Sequence, residues 1–187
     1  MATAGPNSPA AGADDTSTGS GTTAWTNPGN ITAQDSTYAT ANGAQTTHWL
    51  KATNFGFSIP AGATINGVTL SIVEGGYSQS SGSASFWYAF LWNGGQIGSG
   101  VSESFGTSLG ATTLTMGSAS NLWGATLDTT VTNASTFGVE IRIDAHAGST
   151  ITTSNIDCLQ LTITYTLASG GPHITQTRQA VMRAATR

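Results

Sequence analysis

The sequence has few charged residues. Asp, Glu, Lys and Arg make up only 7% of the 187 positions, whereas about 25% is usual for a soluble domain. Ser and Thr instead occupy 53 positions, and Gly occupies 24. The surface of the folded chain must therefore consist largely of neutral hydroxyl and amide groups. Such a composition favours a passive, β-rich structural or binding module over an enzyme.

The chain also lacks a disulfide framework, because Cys158 is its only cysteine. A chain of this length buries about 70% of its unfolded surface, so its core needs neither a disulfide nor a metal. We expect Cys158, which lies in an apolar run, to be a small buried hydrophobe. Without a C-x-x-C partner it cannot be part of a zinc knuckle, and no cofactor is expected.

Targeting and membrane segments are missing too. No run approaches the roughly 18 apolar residues that span a bilayer. The first 24 residues have neither the basic nor the apolar region of a secretory signal. We therefore expect a protein with no membrane partner that is either made and used without Sec export or leaves the cell by another route, such as lysis.

Catalytic motifs are absent from the sequence. There is no G-x-S-x-G nucleophile elbow, and no two carboxylates are marked as a glycosidase pair. Asp144 and His146 lie on one face of a predicted strand and could be half of a metal site. No third ligand lies within sequence reach, so a solvated strand edge is the simpler interpretation. We predict no catalytic residue, no metal site and no enzymatic activity.

Between Trp25 and residue 168, apolar residues alternate with a period of two, and no helical period competes with it. About eight such runs, separated by Gly, Ser and Asn turns, predict an all-β fold. The predicted fold is an antiparallel β-sandwich with jelly-roll or Greek-key connections, whose order stays open. Residues 85–92 are apolar on both faces, which predicts a central strand covered on both sides.

Composition divides the chain into three parts. Residues 1–24 are mostly Ala, Gly, Ser, Thr, Pro and Asp, which predicts an extended, flexible N-terminal arm. Residues 25–168 form the predicted sandwich, and residues 169–187 form a C-terminal tail. Both terminal segments are expected to reach for a partner surface.

Charge is distributed unevenly between these parts. Residues 1–170 hold two basic residues and all nine acids, a net charge of −7, whereas residues 171–187 hold three Arg and no acid, a net charge of +3. The acidic body disfavours nucleic acid as a partner. The basic tail favours an acidic protein neighbour. The tail residues predicted to contact it are Ile174, Gln176, Arg178, Val181, Arg183 and Arg187.

Several segments resemble accessory virion proteins of tailed bacteriophages and their prophages. The longest is LKATNFGFSIPAGATINGV at residues 50–68, preceded by WTNP at 25–28 and DSTYA at 35–39. Further matching segments are LWG at 122–124, FGV at 137–139, Asp157 ahead of LTITY at 161–165, and ITQ at 174–176 followed by Val181. The resemblance covers about residues 25–181 and includes no active-site signature.

This resemblance implies a non-enzymatic virion structural protein. Its partners would be other virion proteins and copies of itself, contacted through its terminal segments. The implied location is the capsid exterior or the neck and tail of the virion, with head decoration slightly favoured.

A glycan- or receptor-binding module of a phage tail or fibre is the alternative. Aromatic rings stack on sugar rings in carbohydrate-binding sandwiches. Trp25, Trp49 and Tyr77 lie near predicted turns, where side chains are more often exposed. They are the candidate stacking residues. We expect Trp87, Trp92 and Trp123 to pack in the core instead.

Overall fold

The computed structural model describes residues 1–43, 45–82 and 84–168, which form eleven strands, one 3₁₀ turn and one helical turn. The strands are β1 (Ala2–Asn7), β2 (Ala11–Asp15), β3 (Ala39–Thr40), β4 (Trp49–Thr53), β5 (Thr64–Gln79), β6 (Ser85–Asn93), β7 (Gln96–Phe105), β8 (Ser108–Leu109), β9 (Thr112–Gly117), β10 (Phe137–Asp144) and β11 (Ile151–Thr166). The 3₁₀ turn is Pro28–Ile31, and the helical turn, α1, is Thr129–Thr132. None of the helices in these ranges has the length and apolar character needed to cross a membrane.

The strands form two antiparallel sheets, which confirms the predicted all-β sandwich. The six-stranded sheet has the order β1-β11-β5-β8, with β3 also paired to β11 and β9 to β5. The five-stranded sheet has the order β2-β4-β10-β6-β7. Every connection except β6–β7 and β8–β9 crosses from one sheet to the other. This is the connection order that the sequence left open.

The core lies between the two sheets because each strand directs alternate side chains inward. The inward residues of β10 and β11 are fully buried: Val139, Ile141, Ile143, Leu159, Leu161 and Ile163. Tyr77 of β5 and Trp87 of β6 meet across the core, with ring centroids 5.5 Å apart. Cys158 is buried and free, as expected.

The prediction of a flexible arm at residues 1–24 is wrong. β1 is an edge strand of the six-stranded sheet, where Ala2 lies opposite Tyr165. β2 is an edge strand of the five-stranded sheet, where Ala11 lies opposite Thr53. The N-terminal segment therefore completes both sheets of its own chain, and the sandwich begins at Ala2 instead of Trp25.

The small residues of this segment have a packing role. A Cβ atom at Gly12 would lie 2.2 Å from the Pro28 carbonyl oxygen, and one at Gly21 would lie 2.3 Å from the Thr46 carbonyl oxygen. Both distances are far below van der Waals contact, so only glycine fits. The composition that predicts flexibility serves instead to bring the backbone close to the sandwich.

The predicted tail, residues 169–187, lies outside the described residues. So do its six predicted contact residues, Ile174, Gln176, Arg178, Val181, Arg183 and Arg187.

Candidate functional site

The three predicted stacking residues are buried. Trp25 is 4% exposed, Trp49 2% and Tyr77 1%, so none offers a ring face to a ligand, and this prediction is wrong. Their polar atoms are bonded inside the protein: Trp25 Nε1 donates to the His48 carbonyl, Trp49 Nε1 to the Thr18 carbonyl, and the Tyr77 hydroxyl to Gln79 Oε1. Proximity to a turn does not expose these rings, because neighbouring loops and the opposite sheet cover them.

The outer face of the five-stranded sheet carries a different row of aromatic side chains. On β6, Phe86 is 47% exposed, and Tyr88, Phe90 and Trp92 are half-buried. The prediction that this strand is covered on both sides is therefore wrong for its outer face. The expected core position of Trp92 is wrong for the same reason. Within the described residues this face is covered only in part, since the loop at Thr18 and Gly19 lies over Trp49 of the neighbouring β4.

Two cations lie over this aromatic row. The Lys51 Nζ atom is 4.3 Å from the centroid of the Trp92 ring, and the Arg142 guanidinium is 4.8 Å from that of Tyr88. Such contacts stabilise by about 0.5–1 kcal/mol at exposed sites. Both cations are also ion-paired, Lys51 with Asp15 and Arg142 with Asp144. The outer face thus holds both basic side chains of residues 1–168 in fixed, neutralised positions.

A small cavity of about 170 Å³ opens beside Trp92. It is lined by Ser17, Thr18, Trp92, Gly95 and Gln96. The Gln96 amide donates to one carboxylate oxygen of Glu140, while the other oxygen is buried without a partner. Burial raises the pKa of Glu140 to about 7. An aromatic ring and an amide therefore flank one pocket, as in many sugar-binding sites.

A larger and more polar cleft of about 290 Å³ lies on the six-stranded sheet. Its polar lining residues include Gln34, Ser36, Tyr38, Glu74, Thr112 and Asp157. It forms where the two long central strands, β5 and β11, pair irregularly, and where the edge strand β9 begins.

Asp157 shapes the rim of this cleft. It is the extra residue of a bulge in β11, lying between the partners of Glu74 and Val73. Its Oδ1 atom accepts the backbone N–H groups of Asp35, at 3.2 Å, and Ser36, at 2.9 Å. One oxygen of this nearly buried carboxylate therefore fixes the loop that closes one side of the cleft.

Glu74 is the chemically unusual residue of the cleft. Its side chain is 2% exposed, and neither carboxylate oxygen has a hydrogen-bond partner among the described residues. Burial raises its pKa to about 8. A buried carboxylate without a partner is destabilising unless it takes up a proton or meets a cation.

Sequence reasoning missed Glu74, because a single Glu in a strand belongs to no motif. One signal was available. Glu74 continues the two-residue period of Val68, Leu70 and Ile72, so it is an acid at a position where the alternation predicts a core residue. Sequence reasoning also missed Glu140, which the same alternation places on an outward face.

Asp144, which the sequence predicts to form half of a metal site with His146, is paired with a cation instead. Arg142 binds the Asp144 carboxylate in a bidentate manner, at 2.9 and 2.8 Å. Within residues 1–43, 45–82 and 84–168, no three His, Cys, Asp or Glu side chains are arranged to hold a metal ion.

Comparison of the chain with protein-family models, with curated proteins and with solved structures gave no match.

Proposed function

We propose that this chain is a non-enzymatic structural protein of a tailed-bacteriophage virion. It would attach to the capsid exterior or to the neck and tail, with head decoration slightly favoured. The observation that carries the proposal is a self-contained sandwich with an almost uncharged surface. The sequence resemblance supports the same role.

A neutral surface suits repeated contact between copies and virion neighbours. Buried charges at a subunit interface are costly to desolvate, whereas hydroxyl and amide groups are not repelled by identical groups on a neighbour. Both basic side chains of residues 1–168 are ion-paired, Lys51 with Asp15 and Arg142 with Asp144, and Asp14 lies beside His48. These pairs engage three of the nine acids, so it is the low density of charge that limits the electrostatic cost of packing against like surfaces.

Attachment is assigned to the C-terminal segment. Both N-terminal strands complete the chain's own sheets, so they do not form a free arm that reaches a neighbour. Residues 169–187 carry three Arg and no acid, which fits an acidic virion partner. Weak contacts of this kind, repeated by symmetry, give high avidity.

Deleting residues 172–187 is expected to leave the sandwich folded and to abolish incorporation into virions. The variant should keep its far-ultraviolet circular dichroism spectrum, because all eleven described strands lie before residue 167. Immunogold labelling of intact particles would then locate the full-length protein and show the loss of the truncated one. Normal incorporation of the truncated protein would rule out the attachment role of this segment.

Glycan binding is the second candidate function, at a different site from the one that the sequence predicts. The aromatic row on β6 and the pocket beside Trp92 favour it, because a ring and an amide flank one cavity. We expect Trp92→Ala to remove glycan-array binding. Phe86→Ala, on the same row but outside the lining of the pocket, should retain it. Absence of wild-type binding to any surface polysaccharide would exclude this function.

A further inference from the structure

We propose that Lys51 of β4 and Asp15 of β2 join spontaneously in an isopeptide bond, with Glu140 of β10 transferring the protons. The bond is a covalent cross-link within one chain, and it holds the edge strand β2 to the rest of its sheet. The competing interpretation of the same contact is an ordinary ion pair. The inference goes beyond the proposed virion role and does not depend on it.

The three side chains lie on adjacent strands and on the same outer face of the five-stranded sheet. Lys51 lies directly opposite Glu140 in β10 and Ala13 in β2. Asp15 follows Ala13 by two residues, so it lies diagonally across from Lys51, within reach of a long side chain. The Lys51 Nζ atom donates to Asp15 Oδ2. The amine therefore already touches the carboxyl group with which it would react.

The site is largely shielded from water. The Lys51 and Asp15 side chains are 23% and 12% exposed, and Glu140 is fully buried. The Trp92 ring covers the Lys51 Nζ atom, 4.3 Å from its centroid. Removing water from an ion pair costs free energy, and this cost favours the uncharged amine and acid that amide formation needs.

A backbone N–H group is placed to stabilise the intermediate. Asp15 Oδ1 accepts the N–H of Ser17 at 2.7 Å. When the Lys51 Nζ atom adds to the Asp15 Cγ atom, negative charge develops on Oδ1. A donor that already points at this oxygen acts as an oxyanion hole. Oδ2, the oxygen in contact with Lys51, is then the one that leaves.

Glu140 has the properties of a proton-transfer group. One of its carboxylate oxygens is held by the Gln96 amide, and the other has no partner among the described residues. Burial raises its pKa to about 7, and the charges of Asp15 and Lys51 also act on it. A group that titrates near neutral pH both accepts and releases protons readily. Glu140 can therefore take a proton from the amine and return it to the leaving oxygen.

The reaction balances without a cofactor, an oxidant or a second molecule. A proton first passes from the Lys51 ammonium to Oδ2 of Asp15. The neutral Nζ atom then forms a bond to Cγ, and Glu140 removes a second proton from Nζ. Glu140 returns this proton to Oδ2, the bond between Cγ and Oδ2 breaks, and one water leaves. An amide remains, and Glu140 is again in its starting state.

The first proton transfer limits the rate. Burial raises the pKa of the Asp15 carboxyl, but hydrogen bonds from Lys51 and Ser17 outweigh this effect and hold the pKa below its ordinary value. The uncharged pair is therefore a minor state. A slow reaction is sufficient, because the bond has to form only once in each molecule.

Mass spectrometry of the purified full-length protein tests the proposal. The wild type should be lighter than its sequence requires by the mass of one water. Trypsin cleaves after Lys and Arg but not after an acylated Lys. The first two basic residues of the chain are Lys51 and Arg142, so the denatured protein should release residues 1–142 as one fragment. Tandem mass spectrometry of this fragment should place the bond between Asp15 and Lys51.

Lys51→Arg is the matched variant at the amine. It keeps the positive charge next to Asp15, but a guanidinium stays protonated and does not form the amide. This variant should have the full mass of its sequence, and trypsin should separate residues 1–51 from residues 52–142. Asp15→Ala removes the carboxyl group and should also show no loss of water.

Glu140→Gln tests the proton-transfer role. It keeps the size of the side chain and an oxygen for the Gln96 amide, but it cannot carry a proton between the two groups. Bond formation should slow by about 10²- to 10⁴-fold, so freshly purified protein should be mostly unlinked. Glu103→Gln, which changes an exposed acid of β7, should be linked as completely as the wild type. Circular dichroism of each variant checks that the sandwich is folded.

Three results would overturn the proposal. Wild-type protein that has the full mass of its sequence and is cleaved after Lys51 contains only the ion pair. A loss of water that persists in Lys51→Arg would belong to another site. If Glu140→Gln is linked as fast as the wild type, Glu140 does not transfer the protons. None of these results bears on the virion role, which the labelling experiment tests separately.

Discussion

Deletion of residues 1–15 is expected to lower the free energy of unfolding by roughly 5 kcal/mol, because each lost ladder hydrogen bond contributes about 0.5–1.5 kcal/mol. The deletion removes β1 and β2, one edge strand of each sheet. It also removes the Asp14 carboxylate, which accepts the Trp25 backbone N–H at 2.7 Å and lies 2.9 Å from the His48 ring. Since a domain is typically stable by only about 5–15 kcal/mol, the deletion should remove a third or more of the free energy of unfolding.

Urea denaturation followed by tryptophan fluorescence measures this effect. The deletion of residues 172–187, which is similar in length, is the matched control and should leave the unfolding midpoint almost unchanged. A midpoint that also stays unchanged without residues 1–15 would mean that the two strands contribute no stability. The segment would then be the flexible arm that its composition predicts.

The wild-type protein, diluted until it is monomeric, is expected to lose stability as the pH rises from about 5 to about 8. Burial raises the pKa of Glu74 from its ordinary value of 4.5 to about 8. Over this interval the folded state holds a proton that the unfolded state has released, so raising the pH favours unfolding. The stability is fully present below pH 4.5 and is lost as the pH passes through 8.

The free energy of unfolding is expected to fall by several kcal/mol over this interval. Each unit of pKa change corresponds to roughly 1.4 kcal/mol, so the upper limit is about 5 kcal/mol. Glu140, whose pKa burial raises to about 7, should add a smaller step of the same sign. Glu74→Gln should be more stable than the wild type at pH 8 and nearly equal to it at pH 4.5. Urea midpoints measured at intervals of half a pH unit give the two curves.

Glu140→Gln provides the internal comparison. In the plot of stability against pH, it should remove only the smaller decrease, which is due to Glu140. The double variant should show the weakest dependence on pH over this range. If the wild-type curve has the same slope as the Glu74→Gln curve, Glu74 does not hold a proton in the folded monomer. An internal partner would then have to neutralise it.

The sandwich could be predicted from sequence because its core residues are large and follow the period of a strand. Phe137, Val139, Ile141 and Ile143 share one face of β10, and all four are buried in the core. The N-terminal strands could not be predicted in this way. They consist of small residues with weak strand preference, and their partners lie far away in sequence, as Ala2 and Tyr165 do.

The candidate sites depended on contacts that no local pattern encodes. Trp49 lies on an outward face and is buried only because the loop at Thr18 and Gly19 covers it. The polar cleft brings together Ser36, Glu74 and Asp157 from three distant parts of the chain. Sequence alone shows an isolated acid at Glu74. The virion role and its partners stay a prediction until the labelling experiment is done.

The pairing of Ala2 with Tyr165 places residue 1 beside the end of β11. A purification tag or fluorescent protein fused before residue 1 would thus emerge beside the end of β11, where it would crowd this end of the sandwich. The turn at Gly148, between β10 and β11, lies at the opposite end of the sandwich, where Ile151 pairs with Gln79. Its φ is 79° and an added Cβ would meet no atom within 4 Å, so cargo inserted there would stay away from the end of β11.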